Sequence, residues 1–191
     1  MSQANYGPYM ECSLELAVDL INSENRFSGQ DELTRLDELA VFLEQHKISR
    51  TAEPTEEDLE QVRRLRSTLR GVFEAEDHES AVAVLNGLLA KSGARPELTN
   101  HDEGPWHLHY TPHRTPIAPR IAAESAMALS VVIAEDGFER LRLCEGDRCM
   151  DVFVDGSRNR SRRYCSPQVC GNRASVAAYR ARQKTAGAVT D

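Results

Sequence analysis

Four cysteines crowd the last third of the chain, Cys144, Cys149, Cys165 and Cys170, spaced C-x4-C-x15-C-x4-C. Two equal pairs on two short loops constrain the fold more than any other feature. Among thiols kept reduced, such pairs serve as metal ligands rather than as disulfides. Zinc takes four soft ligands in a tetrahedron, and each loop would bring two thiolates to one ion. Four thiolates leave no open position, so the expected cofactor is a single structural Zn2+. On spacing alone an iron–sulfur cluster or a redox dithiol pair stays open. Turn-forming residues sit inside each pair, Gly146-Asp147 in the first and Ser166-Pro167 in the second. Residues 141–184 offer few large apolar groups, so a metal would supply folding free energy that this segment lacks.

Charge divides the chain in the same place. Residues 141–191 hold ten Lys/Arg and five Asp/Glu, a balance of +5, whereas residues 1–140 carry −12 within a total of −7. Between Gly156 and Lys184 there are eight basic residues and no acidic one. An acidic body with a basic tail fits a polyanionic partner met through the tail, with a solvated tail docking on its own acidic body as the lesser alternative. Four thiolates and one divalent ion would reduce the +5 to roughly +3. Some of Arg148, Arg162 and Arg163 are expected to donate hydrogen bonds to the sulfurs.

The run from Cys144 through Cys149-Met150-Asp151-Val152-Phe153-Val154-Asp155, then Ser157-Arg158-Asn159-Arg160-Ser161-Arg162-Arg163-Tyr164-Cys165, ends in Cys170-Gly171-Asn172-Arg173 and Tyr179-Arg180-Ala181-Arg182. From about Leu141 to Lys184 it resembles the CGNR zinc-finger family. The resemblance implies zinc bound by Cys144, Cys149, Cys165 and Cys170, in bacterial proteins regarded as stress-induced transcription regulators. Tyr164 stands where the family usually has Trp, which keeps an aromatic ring before the third cysteine. Members carry a larger N-terminal domain whose loose D-x-x-N-T-like signature is similar to Asp19-Leu20-Ile21-Asn22-Ser23.

Upstream, apolar periodicity predicts five helices. The first runs over Met10–Asn22, with Cys12 as a small core residue. A second is capped by Asp31, and a third is opened by the capping-box variant Thr55-Glu56-Glu57-Asp58. The fourth covers His78–Lys91 and closes at Ser92-Gly93. Alternation in Trp106-His107-Leu108-His109-Tyr110 about Gly104-Pro105 predicts a β-hairpin within 97–111. The fifth helix, about Arg120–Glu135, is apolar all round and reads as the central buried element. Its longest apolar stretch, Ile121–Ala134, is too short to span a bilayer. Residues 1–8 show neither a basic n-region nor an apolar h-region. The expectation is a cytoplasmic protein with no membrane partner.

No Ser-His-Asp order, phosphate loop or H-E-x-x-H sequence is present, so no enzyme is expected. His101, His107, His109 and His113 read as hairpin histidines rather than as a metal site. Asp19 and Asn22, a helical turn apart, are candidates for binding a small effector, with helix C-capping the competing role. Candidate nucleic-acid residues are Arg158, Arg160, Arg162 and Arg163 between the cysteine pairs, and Asn172, Arg173, Arg180, Arg182 and Lys184 on a helix after Pro167. The expected architecture is mainly α. An N-terminal helical domain (1–138) with a β-hairpin is followed by a treble-clef-like or knuckle-type zinc module with a C-terminal helix (139–185) and a short tail (186–191). The expected role is transcription regulation through DNA, modulated by a small-molecule effector or a homodimer. The alternative is a zinc-stabilised protein–protein interaction or dimerisation module without DNA binding.

Overall fold

The computed structural model describes residues 8–48, 53–99, 106–112 and 114–187. Helix α1 (Pro8–Asn22) is followed by a two-residue ladder, β1 (Glu24–Asn25) with β2 (Gln30–Asp31), paired Glu24 to Asp31 and Asn25 to Gln30. Helices α2 (Leu36–Gln45), α3 (Glu56–Phe73) and α4 (His78–Ser92) come next. Strands β3 (Glu97–Thr99) and β4 (His107–His109) form the predicted hairpin, with Leu98 opposite Leu108. Its turn, together with His101, and also His113 lie outside the described residues.

Helix boundaries follow local chemistry. Thr55 accepts from the Asp58 N–H at 3.2 Å while the Asp58 carboxylate accepts from the Thr55 N–H at 3.0 Å, so Asp serves in the box as Glu would. Gly93, at φ 66°, closes α4 in the left-handed conformation that glycine adopts without steric penalty. The second helix differs from the sequence reading. It opens at Leu36, where Glu38 accepts from the backbone of Thr34 and Arg35. Asp31 instead sits in β2 and takes a bidentate pair from Arg66, at 2.7 and 2.9 Å. A buried guanidinium on α3 outcompetes a cap for that carboxylate.

That pair has a pH signature. The Arg66 hydrogen bonds hold the Asp31 carboxyl below its ordinary value. A depressed carboxyl stabilises the fold above the unfolded-state value, about 4, and its contribution disappears as pH falls through the lower folded value. Asp31→Asn is expected to lower stability at pH 7 by about 1–3 kcal/mol. It should also flatten the loss between pH 5 and pH 2, measured by urea titration across that range.

Helix α5 (Ile117–Asp136) is the central element, packed by α1, α3 and α4. Ile121, Ala123, Ala126, Leu129 and Val132 are fully buried. It starts three residues before the predicted Arg120, because Pro119 falls in the first turn, where a missing N–H breaks no helical bond. At 20 residues it is long and apolar enough to cross a membrane, a correction to the shorter stretch read from sequence, but 72% of that window is buried inside the protein. A single turn of 3-10 helix (Phe138–Arg140) leads to β5 (Leu141–Leu143), paired antiparallel with β6 (Val152–Val154). Leu141 and Val152 belong to the main core with the helices, so the cysteine module is seated on the helical body. A π-turn (Pro167–Gly171) then opens the last helix, α6 (Asn172–Gly187). The chain is thus mainly α with small hairpins and a C-terminal cysteine module.

Candidate metal centre and basic face

The β5–β6 hairpin carries the first cysteine pair in its loop. The Cys149 N–H donates to the Gly146 carbonyl at 3.1 Å, closing a tight turn, and Arg148 adopts φ 56° within it. The second pair brackets the π-turn, where Ser166 Oγ accepts from the Val169 N–H and the Gly171 N–H returns to the Ser166 carbonyl. The two loops meet so that all four Sγ atoms lie within 4.8 Å of one another. Cys165 Sγ is 3.7 Å from both Cys149 and Cys170 Sγ. A tetrahedron of sulfurs about 2.3 Å from zinc has edges of about 3.8 Å, so the donor set fits one Zn2+ coordinated by Cys144, Cys149, Cys165 and Cys170.

Two further observations support the fit. The backbone N–H groups of Gly146 and Cys165 donate to Cys144 Sγ at 3.4 and 3.3 Å, which favours thiolate there. Burial, with the Asp151 carboxylate and the neighbouring sulfurs, pushes the Cys149 and Cys165 thiols up, and a cation among the sulfurs would offset that. Gly146 is demanded by the close approach: a Cβ there would lie 3.1 Å from Cys170 Cβ and 3.3 Å from the Cys144 and Cys170 sulfurs. No two cysteines are joined as a disulfide among the described residues.

Among the described residues Phe153 and Tyr164 pack with the cysteines in one small cluster, so Tyr164 supplies the expected aromatic ring. Three side chains of the preceding region hold the module from outside. The Asn22 amide brackets Val152, its Nδ2 donating to the carbonyl at 2.9 Å and its Oδ1 accepting from the N–H at 2.8 Å. Arg70, 1% exposed, donates to the carbonyls of Met150 and Ile21. Arg140 donates to the carbonyls of Asp155 and Ser157. Asn22 therefore serves as an adaptor between α1 and the module. Asp19, one turn earlier, faces His46 at 3.5 Å across an open groove with Glu32, Asp37 and Glu38.

The arginines between the cysteine pairs have divided roles. Arg162 lies over the Phe153 ring at 4.8 Å and donates to the carbonyls of Tyr164 and Cys165, so it braces the loop through the backbone rather than through sulfur. Arg163 pairs with Glu145 and Arg160 with Glu139. Arg148 points over Phe27. Backbone amides, not these guanidinia, are the groups that donate to Cys144. Arg158, Arg173, Arg180 and Arg182 are exposed and make no ion pair among the described residues. Asn172 donates to the Gln168 carbonyl one turn back. Lys184 shares α6, and its side chain lies outside the described part.

Sequence reasoning missed a second polar cluster. Tyr9, Ser13, His109, Arg120 and Glu124 converge beside α1 and α5, joined across 111 and 115 residues of chain. Cys12 is exposed at its mouth rather than in the core.

No curated protein matches the chain. Residues 140–183 match the CGNR zinc finger, which spans the four-cysteine centre described above. Residues 14–142, most of the helical body, match the family ABATE, described as "putative stress-induced transcription regulator". Neither is a family of enzymes by its description. With two thirds of its length in one match and its metal centre in the other, the chain belongs to the ABATE family and carries a CGNR zinc finger.

Proposed function

We propose that this protein is a cytoplasmic bacterial transcription regulator that contacts DNA through its zinc module and α6, under the influence of the helical N-terminal domain. One observation carries the reading: every described residue of α6 from Ser175 to Gln183 is exposed. A helix this length is marginal in water without a packed face, so α6 is built to meet a partner. Arg173 and Arg180 line one side of it with Asn172, and Arg182 lies nearby. Cations without a carboxylate partner among the described residues favour phosphate as that partner. Asn172 and Arg173 have the side-chain chemistry to read adenine and guanine edges. Arg158 adds a cation from the loop between the cysteine pairs. Arg160, Arg162 and Arg163, paired or turned inward, are expected to contribute less.

Anisotropy titration of the zinc-loaded protein against a pool of bacterial promoter duplexes tests this. If four arginines neutralise phosphates, log affinity should fall against log salt with a slope of about −3.6. Arg180→Ala should reduce the slope by about 1, and Arg163→Ala by much less. Salt-insensitive binding, or none at 50 mM salt, rejects the reading. A second reading has its own support, because Val169, Val176 and Tyr179 are exposed beside the same arginines. They suit a protein contact, a dimer included. Light scattering of the full chain and of Val176→Asp separates the two: a dimer lost in the variant favours the protein contact.

A further inference from the structure

The Tyr9–Glu124 cluster lines a cavity of about 400 Å³ between α1, the end of α2, β4 and α5, within the ~300–1,000 Å³ typical of small-molecule sites. Its floor is Glu124, 4% exposed, whose two oxygens accept from the Tyr9 hydroxyl at 2.7 Å and one of them from Ser13 at 3.3 Å. His109 Nδ1 stands 3.8 Å from the same carboxylate. Arg120, 8% exposed, lies one turn before Glu124 on the same face of α5 and lines the same cavity. Leu16 and Ile48 supply the apolar wall.

Burying ionisable groups against a cavity opposes folding, and the core of a helical body gains nothing from it. Burial pushes the Glu124 carboxyl up despite the hydrogen bonds from Tyr9 and Ser13. Groups perturbed in this way and converging on one hollow mark binding sites more often than scaffolding. Glu15 and Lys47 also line the cavity but are exposed, so the two buried charges, Arg120 and Glu124, specify the ligand. A buried carboxylate selects a cationic donor, and a guanidinium a turn away selects a carboxylate through its planar fork.

We propose that this cavity binds a small zwitterion of the amino-acid class, its ammonium on Glu124 and its carboxylate on Arg120. Tyr9 and His109 close around the ammonium end. The apolar wall of Leu16 and Ile48 receives the ligand's side chain. This effector site adjoins the Asp19 groove, with which it shares Gln45 and His46, and is independent of whether α6 binds DNA.

The test uses the zinc-loaded full chain and the twenty proteinogenic amino acids, each supplied singly, with thermal unfolding and calorimetric titration as readouts. At a hundred times its dissociation constant, a bound amino acid should raise Tm by about 5–10 °C. Glu124→Gln keeps the shape of the floor but loses the charge, and should weaken binding at least tenfold. Cys12→Trp fills the mouth without touching Glu124; it should abolish binding and leave the ligand-free Tm within about 2 °C, as for an exposed site. The proposal is overturned if none of the twenty shifts Tm or releases heat. It is equally overturned if a shift persists undiminished in both variants.

Discussion

Stripping the metal from this protein should unfold residues 143–171 while leaving most of the helical body intact. The expected preparation holds one zinc per chain, and that zinc is lost in Cys165→Ser. The reason is the poverty of the module's own interior. Cys144, Cys170 and Phe153 are its buried apolar residues, with Cys149, Tyr164 and Cys165 packed around them, so two aromatic rings and the sulfurs are nearly all there is. Structural zinc supplies an apparent 10–16 kcal/mol in small finger peptides at pH 7, about the whole free energy such a unit needs. Without the ion, buried sulfurs would repel as thiolates or be left as thiols without partners. Amide exchange at Cys144, Cys149 and Cys165 should accelerate roughly 100-fold or more after chelation, as those N–H groups lose their acceptors. Unchanged protection in a verified metal-free sample, or cystines between these residues, would contradict the assignment. Residues 8–136 should retain their helical signal, because α5 and its partners bury their own apolar faces.

Arg70→Met is the second substitution expected to have a large effect. The guanidinium is almost fully enclosed and ties the Ile21 carbonyl at the end of α1 to the Met150 carbonyl beside the metal loop. Burial holds it below the usual arginine value, yet these acceptors and Glu74, at 3.7 Å, keep it engaged. Methionine would fill much of the volume but strand both carbonyls in the interior. Breaking a buried charged network of this kind typically costs about 3–5 kcal/mol. For a chain of this size that corresponds to a fall in Tm of about 6–20 °C. A fall below 2 °C in the zinc-loaded variant would show that the link is dispensable. Because Asn22 holds Val152, two residues beyond Met150, Arg70→Met and Asn22→Ala should combine non-additively in a double-mutant cycle. Zinc affinity should fall in both single variants, since each positions the loop that presents Cys149.

What was legible in the sequence was local. Leu59, Val62, Leu65, Leu69 and Val72 recur at helical spacing because one face of α3 is buried, and all five are buried. Thr55 and Asp58 mark a helix start because the orphan N–H groups there need an acceptor within three residues. The cysteines announce a metal because thiolates are costly to gather without one. Where a residue had two suitors, spacing could not arbitrate. Asp31 looked like a cap until Arg66 claimed it, and Asn22, a candidate effector residue, lines the Asp19 groove while its amide is engaged with Val152. Cys12 followed the apolar period of α1, but it borders the Glu124 cavity and is exposed.

The amino-acid order alone therefore determined the helices, the hairpin, the zinc ligands and the segregation of positive charge, since each depends on neighbours within a turn or a loop. Only the tertiary structure decided which arginines remain outside, which ones brace the metal loop, and that Tyr9, His109, Arg120 and Glu124 share one hollow. Those outcomes rest on contacts between elements, from 18 residues apart for Arg163 and Glu145 through 80 for Arg70 and Met150 to 115 for Tyr9 and Glu124. They are settled by competition among buried polar groups for the few partners the packed chain brings within reach, and no short-range pattern records who wins.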